Sequence, residues 1–473
     1  MSDEDAFFSS FKPAVELFHK HVEKGGRIRI VTHNDADGLA SGGILSVVAH
    51  RGGAAFRTSS EKKLDDKLVK SLAEENPSLI VFSDFGSGYT NLIAENLSMD
   101  VIILDHHLPA EHKSDNIVHV NPMLHGIDGA RDIAASGICY LFAREVDEEN
   151  RDLSCLGLVG ALGDQQDKGE RKNLTGLNTL IEEDAVKDGY LEKHVGLIFY
   201  GYETRPLAKA VAYTTAPFIP GLSGDEGACV AFLREVGIPI EEGDRLRSLA
   251  DLSEEEKRTL FSALSNHMVG EGCDAEAVHQ LLGTIYTFRL EEPSTCLRSG
   301  REYGSLLNAC GRMDKQGVGL SVCLGDRGEA MAEAQETLDL YRRKIGSSLD
   351  LVRENDMVKE LDNIYLIRAG DSIDDTVIGV VSGILLSQGI LKSMKPIVST
   401  AVSEDHQVKV SARGTMELAS RGLHMGLVMQ KAAEAVGGGG GGHDVAAGAY
   451  VPIDKEEEFI DRVNSLVPEH LKD

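Results

Sequence analysis

One pattern in the first third of the chain constrains the fold most: short apolar runs that stop at acidic or histidine residues. The run at 101–104 (VIIL) is followed directly by Asp105, His106 and His107. Similar apolar runs lie at 29–32, 79–82 and 158–162. Runs rich in β-branched residues and bounded by charge are typical of buried strands. Their alternation with helical segments predicts an α/β fold with a mostly parallel, doubly wound sheet.

The carboxyl ends of parallel strands lie side by side, and open α/β sheets bind their ligands at that edge. We therefore expect the polar residues at these run ends to converge on one crevice: His33, Asp35, Asp37, Asp84, Asp105, His106, His107 and Asp164. Five of them are carboxylates, which would repel one another strongly unless cations held them. The alternative is that four unrelated surface loops carry these residues.

The order of these motifs resembles that of the DHH phosphoesterase superfamily. His-x-Asp-x-Asp-Gly begins at His33, a strand-end Asp84 follows, then Asp-His-His at 105–107 and Gly-Asp at 163–164. The superfamily includes RecJ-type exonucleases, oligoribonucleases, cyclic dinucleotide phosphodiesterases and one class of inorganic pyrophosphatases. The resemblance implies metal-dependent hydrolysis of a phosphoester.

The resemblance also implies two divalent ions with Asp84 between them. The first ion would be held by His33, Asp35 and Asp84, and the second by Asp37, Asp84, His106 and Asp164. Oxygen and imidazole ligands together suit Mn²⁺ and also accept Mg²⁺ or Co²⁺. By the same resemblance, His107 would contact the scissile phosphate or act as general acid, and Asp105 would orient a histidine.

A second group of residues resembles the substrate-binding parts of RecJ-type nucleases. Asn308 and Arg312 match an Asn-Ala-x-Gly-Arg signature, and Ser411 and Arg413 match a Ser-x-Arg pair of the DHH-associated domain. The glycine run 437–442 precedes a His-x-x-Ala-Ala-Gly motif that begins at His443. The implied substrate-binding residues are Asn308, Arg312, Ser411, Arg413, Gly439, Gly440, Gly441, Gly442 and His443.

The glycine run has two interpretations on its own. Without side chains, backbone N–H groups can close on an anion, and the apolar residues after the run would begin a helix whose N-terminus also favours phosphate. A glycine run can equally be a flexible linker.

Length and composition set the frame for these predictions. A chain of 473 residues is long enough for two or three domains. We expect a catalytic domain at 1–325 with a helical insertion at about 170–290, a linker helix at 326–356 and a smaller α/β domain at 357–473. The insertion is either a partner-docking element or purely structural. Seven scattered cysteines without a Cys-x-x-Cys pair predict reduced core residues.

Charge and hydropathy bear on location and partners. No apolar run approaches 18 residues and the first residues are acidic, so we expect a soluble cytoplasmic protein that does not enter a membrane. A net charge of −28 argues against nucleic acid, because phosphate binding normally shows a basic footprint. A metal cluster supplies local positive charge, however, and an acidic surface also fits a salty cytoplasm or a basic partner.

Three functions follow from the resemblance. The leading one is an archaeal RecJ-like exonuclease on single-stranded DNA or RNA, of the GINS-associated type, in replication or repair. The second is an oligoribonuclease or cyclic-dinucleotide phosphodiesterase, although such enzymes are shorter. The third is a replisome scaffold that binds GINS, although its eukaryotic relative has lost metal ligands that are all present here.

Overall fold

The computed structural model describes residues 3–111, 114–214, 217–387, 391, 394–403 and 405–471. They form two compact units. The first contains Met1–Ala212, Glu226–Val269 and His279–Leu338, and the second contains Tyr213–Asp225, Gly270–Val278 and Asp339–Asp473. Among the described residues, no helix combines the length and the apolar character needed to cross a membrane.

The described strands and helices are numbered here in chain order. The strands are β1 (Arg27–His33), β2 (Ala55–Glu61), β3 (Leu79–Ser83), β4 (Asp100–Leu104), β5 (Ile117–Val120), β6 (Leu191–Leu197), β7 (Glu241–Glu242), β8 (Arg245–Leu246), β9 (Leu282–Phe288), β10 (Val358–Glu360), β11 (Tyr365–Arg368), β12 (Ile397–Val402), β13 (Gln407–Arg413), β14 (Gly439–Gly442) and β15 (Ala446–Pro452). The helices are α1 (Asp3–Ser9), α2 (Phe11–Glu23), α3 (Ala36–Arg51), α4 (Asp66–Glu75), α5 (Thr90–Asn96), α6 (Ala135–Val146), α7 (Ser154–Gly163), α8 (Asn178–Lys187), α9 (Leu207–Ala212), α10 (Glu226–Glu235), α11 (Glu254–Gly270), α12 (Ala275–His279), α13 (Gly300–Arg312), α14 (Gln316–Cys323), α15 (Glu329–Glu354), α16 (Ile378–Ser387), α17 (Met416–Ser420), α18 (Met425–Glu434) and α19 (Glu456–His470).

The first unit is built on a five-stranded sheet in the order β2-β1-β3-β4-β5, and every neighbouring pair is parallel. Because successive side chains point to opposite faces, Ile80 and Phe82 pack towards α4 and α5. Helix α3 packs against β1 and β2, and α6 packs against β3 and β4. The predicted fold class, a doubly wound parallel sheet with a second α/β domain, is confirmed.

The strand order indicates where on the sheet a ligand would bind. Strands β1 and β3 are neighbours although β2 lies between them in sequence, so the sheet changes its direction of winding there. Ligands of open α/β sheets bind outside the carboxyl ends of the strands at such a switch point. The residues that follow β1 and β3 therefore lie at the edge where the fold leaves room for a ligand.

Three of the four predicted strand segments lie in β1, β3 and β4, but the fourth prediction is wrong. The segment 158–162 belongs to helix α7, so Asp164 follows a helix rather than a strand. Residues 157–161 are buried. A short apolar run that is buried on all sides gives no periodicity that separates helix from strand.

The insertion is not purely helical. Strands β6 and β9 pair antiparallel, and β7 and β8 form a two-residue pair. The predicted linker helix is present as α15, with the bounds Glu329–Glu354. All seven cysteines are free thiols.

The second unit contains a six-stranded mixed sheet in the order β10-β11-β12-β13-β15-β14. Only β11 and β12 run parallel among these pairs. Helices α18 and α19 pack on one face through a cluster of buried apolar residues, whereas α16 packs against β12 and β13. Strand β14 consists of four glycines and lies at the edge of the sheet.

Candidate functional site

The first three predicted ligands lie at the end of β1 (His33), in the turn after it (Asp35) and at the start of α3 (Asp37). Asp35 is the N-cap of α3, and its Oδ1 accepts a hydrogen bond from the Gly38 amide at 3.0 Å. A Cβ at Gly38 would lie 2.2 Å from the carbonyl oxygen of His33, so only glycine fits this turn. As a result, the Nδ1 atom of His33 lies 2.8 Å from Asp35 Oδ2.

Asp84 lies at the centre of the cluster. It follows β3 with a φ of 61°, in the left-handed region that aspartate tolerates better than most residues. Its carboxylate is buried, and neither oxygen has a hydrogen-bond partner among the described residues. Oδ2 lies 3.3 Å from His33 Nδ1, and Oδ1 lies 3.3 Å from His106 Nε2. Asp84 thus lies between His33 and His106, and its contact with two ions stays a prediction.

His106 is oriented by the backbone. Its Nδ1 donates to the carbonyl oxygen of Gly129 at 2.6 Å, which turns Nε2 towards the carboxylates. Nε2 is buried without a hydrogen-bond partner and lies 3.7 Å from Asp37 Oδ2 and 3.7 Å from Asp164 Oδ2. A buried imidazole nitrogen that faces three carboxylates without hydrogen-bond geometry is what a metal ligand requires.

Asp37 and Asp164 carry negative charge that the protein does not neutralise. Asp37 is fully buried and accepts hydrogen bonds from the amides of Ala135 (2.7 Å) and Ser136 (2.8 Å) at the start of α6. Burial and the charge of Asp84 nevertheless raise the pKa of Asp37 to about 7. Burial and the charge of Asp37 raise the pKa of Asp164 well above its ordinary value. Both carboxylates would be stabilised by a cation.

Asp105 and His107 form a separate pair. Asp105 is fully buried and accepts hydrogen bonds from the amides of Ser87 (2.9 Å), His106 (2.8 Å) and His107 (3.1 Å) and from His107 Nδ1 (2.8 Å). Burial acts to raise the pKa of Asp105, but His107 outweighs it and the pKa lies well below its usual range. The His107 side chain is 43% exposed, more than His33 or His106. Asp105 therefore fixes the orientation of the histidine that faces solvent most.

These residues fit two divalent ions. Three groups have ligand atoms within 4.8 Å of one another: Asp84, His106, His107; His33, Asp35, Asp84; and Asp37, His106, Asp164. The first predicted ligand set is the second of these groups, and the second predicted set consists of the third group and Asp84. The donors are carboxylate oxygens and imidazole nitrogens, which suit Mn²⁺ and Mg²⁺. His33 Nδ1, both Asp84 carboxylate oxygens and His106 Nε2 have no hydrogen-bond partner among the described residues, so a cation has the donors it needs.

Several residues that support the site were not predicted. Gln166 is buried and its Nε2 donates to the same Gly129 carbonyl at 2.9 Å. Asn121 donates to the carbonyl of His107 and to Ser87 Oγ, both at 2.8 Å. Asn121 follows β5, so an apolar run at 117–120 that stops at a polar residue was the available signal. Gly129 acts through its backbone carbonyl, and Gln166 acts through a side-chain hydrogen bond to that carbonyl. No sequence pattern marks either residue.

Asn308 and Arg312 lie on α13, and Asn308 contacts both the start of α3 and the end of α7. Asn308 Oδ1 accepts from the Ala36 amide at 3.1 Å, and its Nδ2 donates to the Gly163 carbonyl at 3.3 Å. The amide thus connects the turn after β1 to the residue before Asp164. A contact of Asn308 or Arg312 with substrate stays a prediction.

The glycine run forms a strand, so the flexible linker and the helix predicted after the run are both wrong, whereas anion binding by these glycines stays a prediction. Gly439–Gly442 pair antiparallel with β15, and the residues predicted to begin a helix form that strand instead. A Cβ at Gly440 would lie 2.9 Å from the carbonyl oxygen of Met429 in α18, whereas a Cβ at Gly439 or Gly441 would meet nothing within 4 Å. Alternate glycines therefore face a helix and open space.

The strand register brings predicted substrate-binding residues onto one face. Ser411 pairs with Gly448, which pairs with Gly441, and Arg413 pairs with Ala446. The His443 amide donates to the Ala446 carbonyl at 2.8 Å, which extends the second row. Because directly paired residues share a face, Ser411, Arg413, Gly441 and His443 lie on the same side of the sheet. Gly440 and Gly442 lie on the opposite side.

Comparison with known proteins gives the following matches. The N-terminal domain of the DHH family matches residues 27–161, the DHH-CID domain matches residues 199–282 and the DHHA1 domain matches residues 363–469. The uncharacterized protein MJ0831 of Methanocaldococcus jannaschii is 34% identical over 453 residues, which are 94% of each chain.

Solved structures share the fold. RecJ from Thermus thermophilus in complex with Mn²⁺ superimposes with a TM-score of 0.57 and 17% identity. The match covers 97% of this chain and 55% of that one, so this chain spans about half the length of that RecJ. CDC45 from Entamoeba histolytica superimposes with a TM-score of 0.66 and 10% identity over 98% of this chain and 99% of that one. At these identities the likeness establishes the fold.

Proposed function

Because the chain belongs to the DHH superfamily, with a RecJ-like arrangement of its domains, we propose that it is a metal-dependent exonuclease on single-stranded DNA or RNA. The observation that carries this proposal is the convergence of the ligand atoms, of which His33 Nδ1, both Asp84 carboxylate oxygens and His106 Nε2 are buried without a hydrogen-bond partner among the described residues. The general class that the site supports is a phosphoester hydrolase. The choice of a polynucleotide as substrate rests on the RecJ-like fold.

The cofactor in this proposal is a pair of divalent ions, with Mn²⁺ foremost. Such ions, when bound, lower the pKa of water and stabilise the charge that develops on a phosphate during in-line displacement. The RecJ of Thermus thermophilus was crystallised with Mn²⁺, and a second structure of the same protein contains Mg²⁺. His33 and Asp35 would hold one ion, Asp37 and Asp164 the other, with Asp84 and His106 completing the set.

The chain's own acid is proposed to be His107. Burial and the neighbouring His106 act to lower its pKa, but Asp105 and Asp84 outweigh them and raise it above the ordinary value. A raised pKa increases the protonated fraction of a histidine at any given pH, and the protonated ring can donate its proton to the departing oxygen. Asp105, which accepts from Nδ1, would hold the ring in the orientation that this transfer needs.

Substrate binding in the second unit is proposed for the face that carries Ser411, Arg413, Gly441 and His443. Arg413 offers a planar set of N–H donors that matches phosphate oxygens. Glycines on the same face let a backbone phosphate approach closely. Because these groups contact the sugar-phosphate backbone rather than base edges, we expect weak dependence on sequence.

The test is hydrolysis of single-stranded DNA and of RNA, each labelled at either end, in Mn²⁺ and in EDTA. We expect Mn²⁺-dependent release of mononucleotides, with the order of label release giving the polarity. Asp84→Ala should abolish hydrolysis. The control is Asp350→Asn, which removes a carboxylate from the exposed side of α15 and should leave the rate unchanged. No hydrolysis of either polymer by the wild-type chain contradicts the exonuclease.

A second, compatible function is a replisome scaffold that binds GINS. The supporting observation is the fold shared with CDC45 over 98% of this chain. We would purify the wild-type chain and Asp84→Ala from the source cells and look for a GINS subunit. Co-purification with both chains supports binding that does not depend on catalysis, and its absence from both contradicts the scaffold.

A further inference from the structure

Tyr450 lies on the same face of the second unit's sheet as Arg413. It is 41% exposed on β15, and the register pairs it with Lys409 of β13 on one side and with Gly439 of β14 on the other. Paired residues share a face, so the tyrosine ring is flanked by a lysine and by a glycine.

On one side, the Lys409 side chain contacts the tyrosine. Lys409 Nζ donates to the Tyr450 hydroxyl at 2.8 Å and lies 4.7 Å from the ring centroid. A cation at this distance is attracted to the ring face and fixes the ring against rotation. Lys409 therefore holds Tyr450 in position and places a positive charge beside it.

The glycine flank is bare. A Cβ at Gly439 would meet no atom within 4 Å. One row further along the sheet, about 6.8 Å away at the usual rise per residue, Gly441 is equally open and Gly448 carries no side chain. The ring of Tyr450 thus borders a shallow surface whose floor is backbone.

The residues that β13, β14 and β15 place on this face differ in charge from the whole chain. The sequence holds 76 acidic against 48 basic residues. Three consecutive rows of the face contain no carboxylate but two permanent cations and a histidine: Lys409, Tyr450, Gly439; Ser411, Gly448, Gly441; and Arg413, Ala446, His443. Such a face attracts an anion, and a ring beside it suits a planar group.

We propose that Tyr450 and Lys409 form a nucleotide subsite, in which one base of a single strand stacks on the tyrosine ring above Gly439 and its phosphate contacts Lys409. This inference rests on the proposed function, because it assumes that the ligand is a polynucleotide. Stacking on one aromatic ring is tolerant of base identity, since every base has a π-face. The subsite would extend the surface that binds the nucleic acid by one nucleotide, and it would add no preference for a particular base.

The test measures binding of the full-length chain in EDTA, where the proposed cleavage cannot occur. The probes are a fluorescein-labelled oligothymidylate and an abasic oligonucleotide of the same length, followed by fluorescence anisotropy. We expect Tyr450→Ala to weaken oligothymidylate binding about tenfold, within the range measured for loss of one stacked base. Binding of the abasic strand should not change. Tyr450→Phe, which keeps the ring, should bind within about twofold of the wild type, and thermal unfolding checks that each variant is folded.

The matched control is Tyr213→Ala, which removes another exposed tyrosine that is outside the strands of this sheet. It should bind both probes as the wild type does. If Tyr450→Ala binds oligothymidylate as tightly as the wild type, or weakens both probes equally, the subsite is refuted. That result leaves the exonuclease standing when the wild type still hydrolyses single strands. A wild type that neither binds nor hydrolyses them refutes both.

Discussion

The cluster of carboxylates and histidines in the first unit depends on the side chains that it contains, whereas the glycine strand β14 of the second unit depends on the side chains that it lacks. In the cluster, side chains carry the chemistry, and both Asp84 carboxylate oxygens and His106 Nε2 are buried without a hydrogen-bond partner in the described part of the chain. In β14 there are no side chains, and Gly440 matters because a Cβ there would meet the Met429 carbonyl at 2.9 Å. In the first region, carboxylates that repel one another would be stabilised by a cation. In the second, the lack of side chains lets helix α18 pack closely against Gly440 and leaves the opposite face of the strand open at Gly439 and Gly441.

This difference predicts different responses to substitution. In the cluster, loss of a side chain should change activity more than stability, because the carboxylates repel one another in the folded protein. In the glycine strand, gain of a side chain should change stability or binding according to the face on which it lies. The four predictions below test that contrast, from the largest expected effect to the smallest.

The largest effect is expected for His107→Ala. Loss of a general acid costs about 10²- to 10⁴-fold in rate, and the variant should lose hydrolysis to that extent while still binding Mn²⁺ through the remaining ligands. Single-turnover hydrolysis and Mn²⁺ titration measure the two properties. His19→Ala, which removes an exposed histidine of α2, is the control and should hydrolyse normally. Equal rates for His107→Ala and the wild type would remove His107 from the reaction.

The second prediction concerns the stored charge. Mn²⁺ at about one hundred times its Kd should stabilise the wild-type fold by about 2.7 kcal/mol. In EDTA, Asp84→Asn should be more stable than the wild type by about 1 kcal/mol, roughly the free energy of one pKa unit. The carboxylate oxygens of Asp84 have no hydrogen-bond partner among the described residues, and the substitution relieves the repulsion that adds to burial in raising the pKa of Asp37 and of Asp164. Thermal unfolding with and without Mn²⁺ measures both effects, and an Asp84→Asn variant less stable than the wild type in EDTA contradicts the argument.

How far the sequence predicted these regions follows the same contrast. The cluster was predictable because charged residues at the ends of apolar runs are visible one by one, and Asp84, Asp105 and His106 lie where they were expected. Helix α7 was mistaken for a strand because an apolar segment buried on all sides has no readable period. Strand β15 could not be read from its sequence, because residues 446–451 (AAGAYV) have no polar–apolar alternation and the alternate burial of Ala447, Ala449 and Val451 is seen only in the structure.

The sequence did not predict the residues that orient the cluster through a backbone carbonyl. The Gly129 carbonyl orients His106, and Gln166 holds that carbonyl, although neither residue belongs to a motif. Their roles depend on where a loop passes in space, which residue identity does not encode. The open flank of Gly441 was likewise invisible, because six consecutive glycines look alike until the strand register separates their faces.

The third prediction compares two neighbouring glycines of β14. Gly440→Ala should destabilise the second unit by about 2 kcal/mol, the usual cost of overpacking, because its Cβ would press on Met429 and Ala449. Gly441→Ala should leave stability unchanged or raise it by up to about 1 kcal/mol, because its Cβ enters open space. If the open face of β14 binds single-stranded nucleic acid, Gly441→Ala should still weaken oligonucleotide binding. Chemical unfolding and anisotropy separate the two outcomes, and equal destabilisation by both substitutions would refute the proposed difference between the faces.

The smallest effect is expected for Gln166→Leu, which tests whether the cluster also depends on backbone. Gln166 Nε2 donates to the Gly129 carbonyl, and its Oε1 accepts from Asn178 Nδ2 at 2.9 Å. Leucine fills a similar volume but releases the carbonyl that orients His106. Loss of such an outer partner typically costs 10- to 100-fold in metal affinity, and we expect about tenfold here because the His106 bond to Gly129 remains.

Mn²⁺ titration of Gln166→Leu gives the affinity, and hydrolysis at saturating Mn²⁺ gives the rate. A positioning role predicts weaker Mn²⁺ binding with a rate that recovers when the ion is saturating, because the ligands themselves are intact. Gln430→Leu, on the exposed side of α18, is the matched control and should change neither. If Gln166→Leu lowers only stability and leaves Mn²⁺ affinity unchanged, the Gly129 carbonyl orients His106 without help from Gln166. In that case the cluster would depend on its side chains alone, and the contrast with the glycine strand would be sharper than the hydrogen bonds suggest.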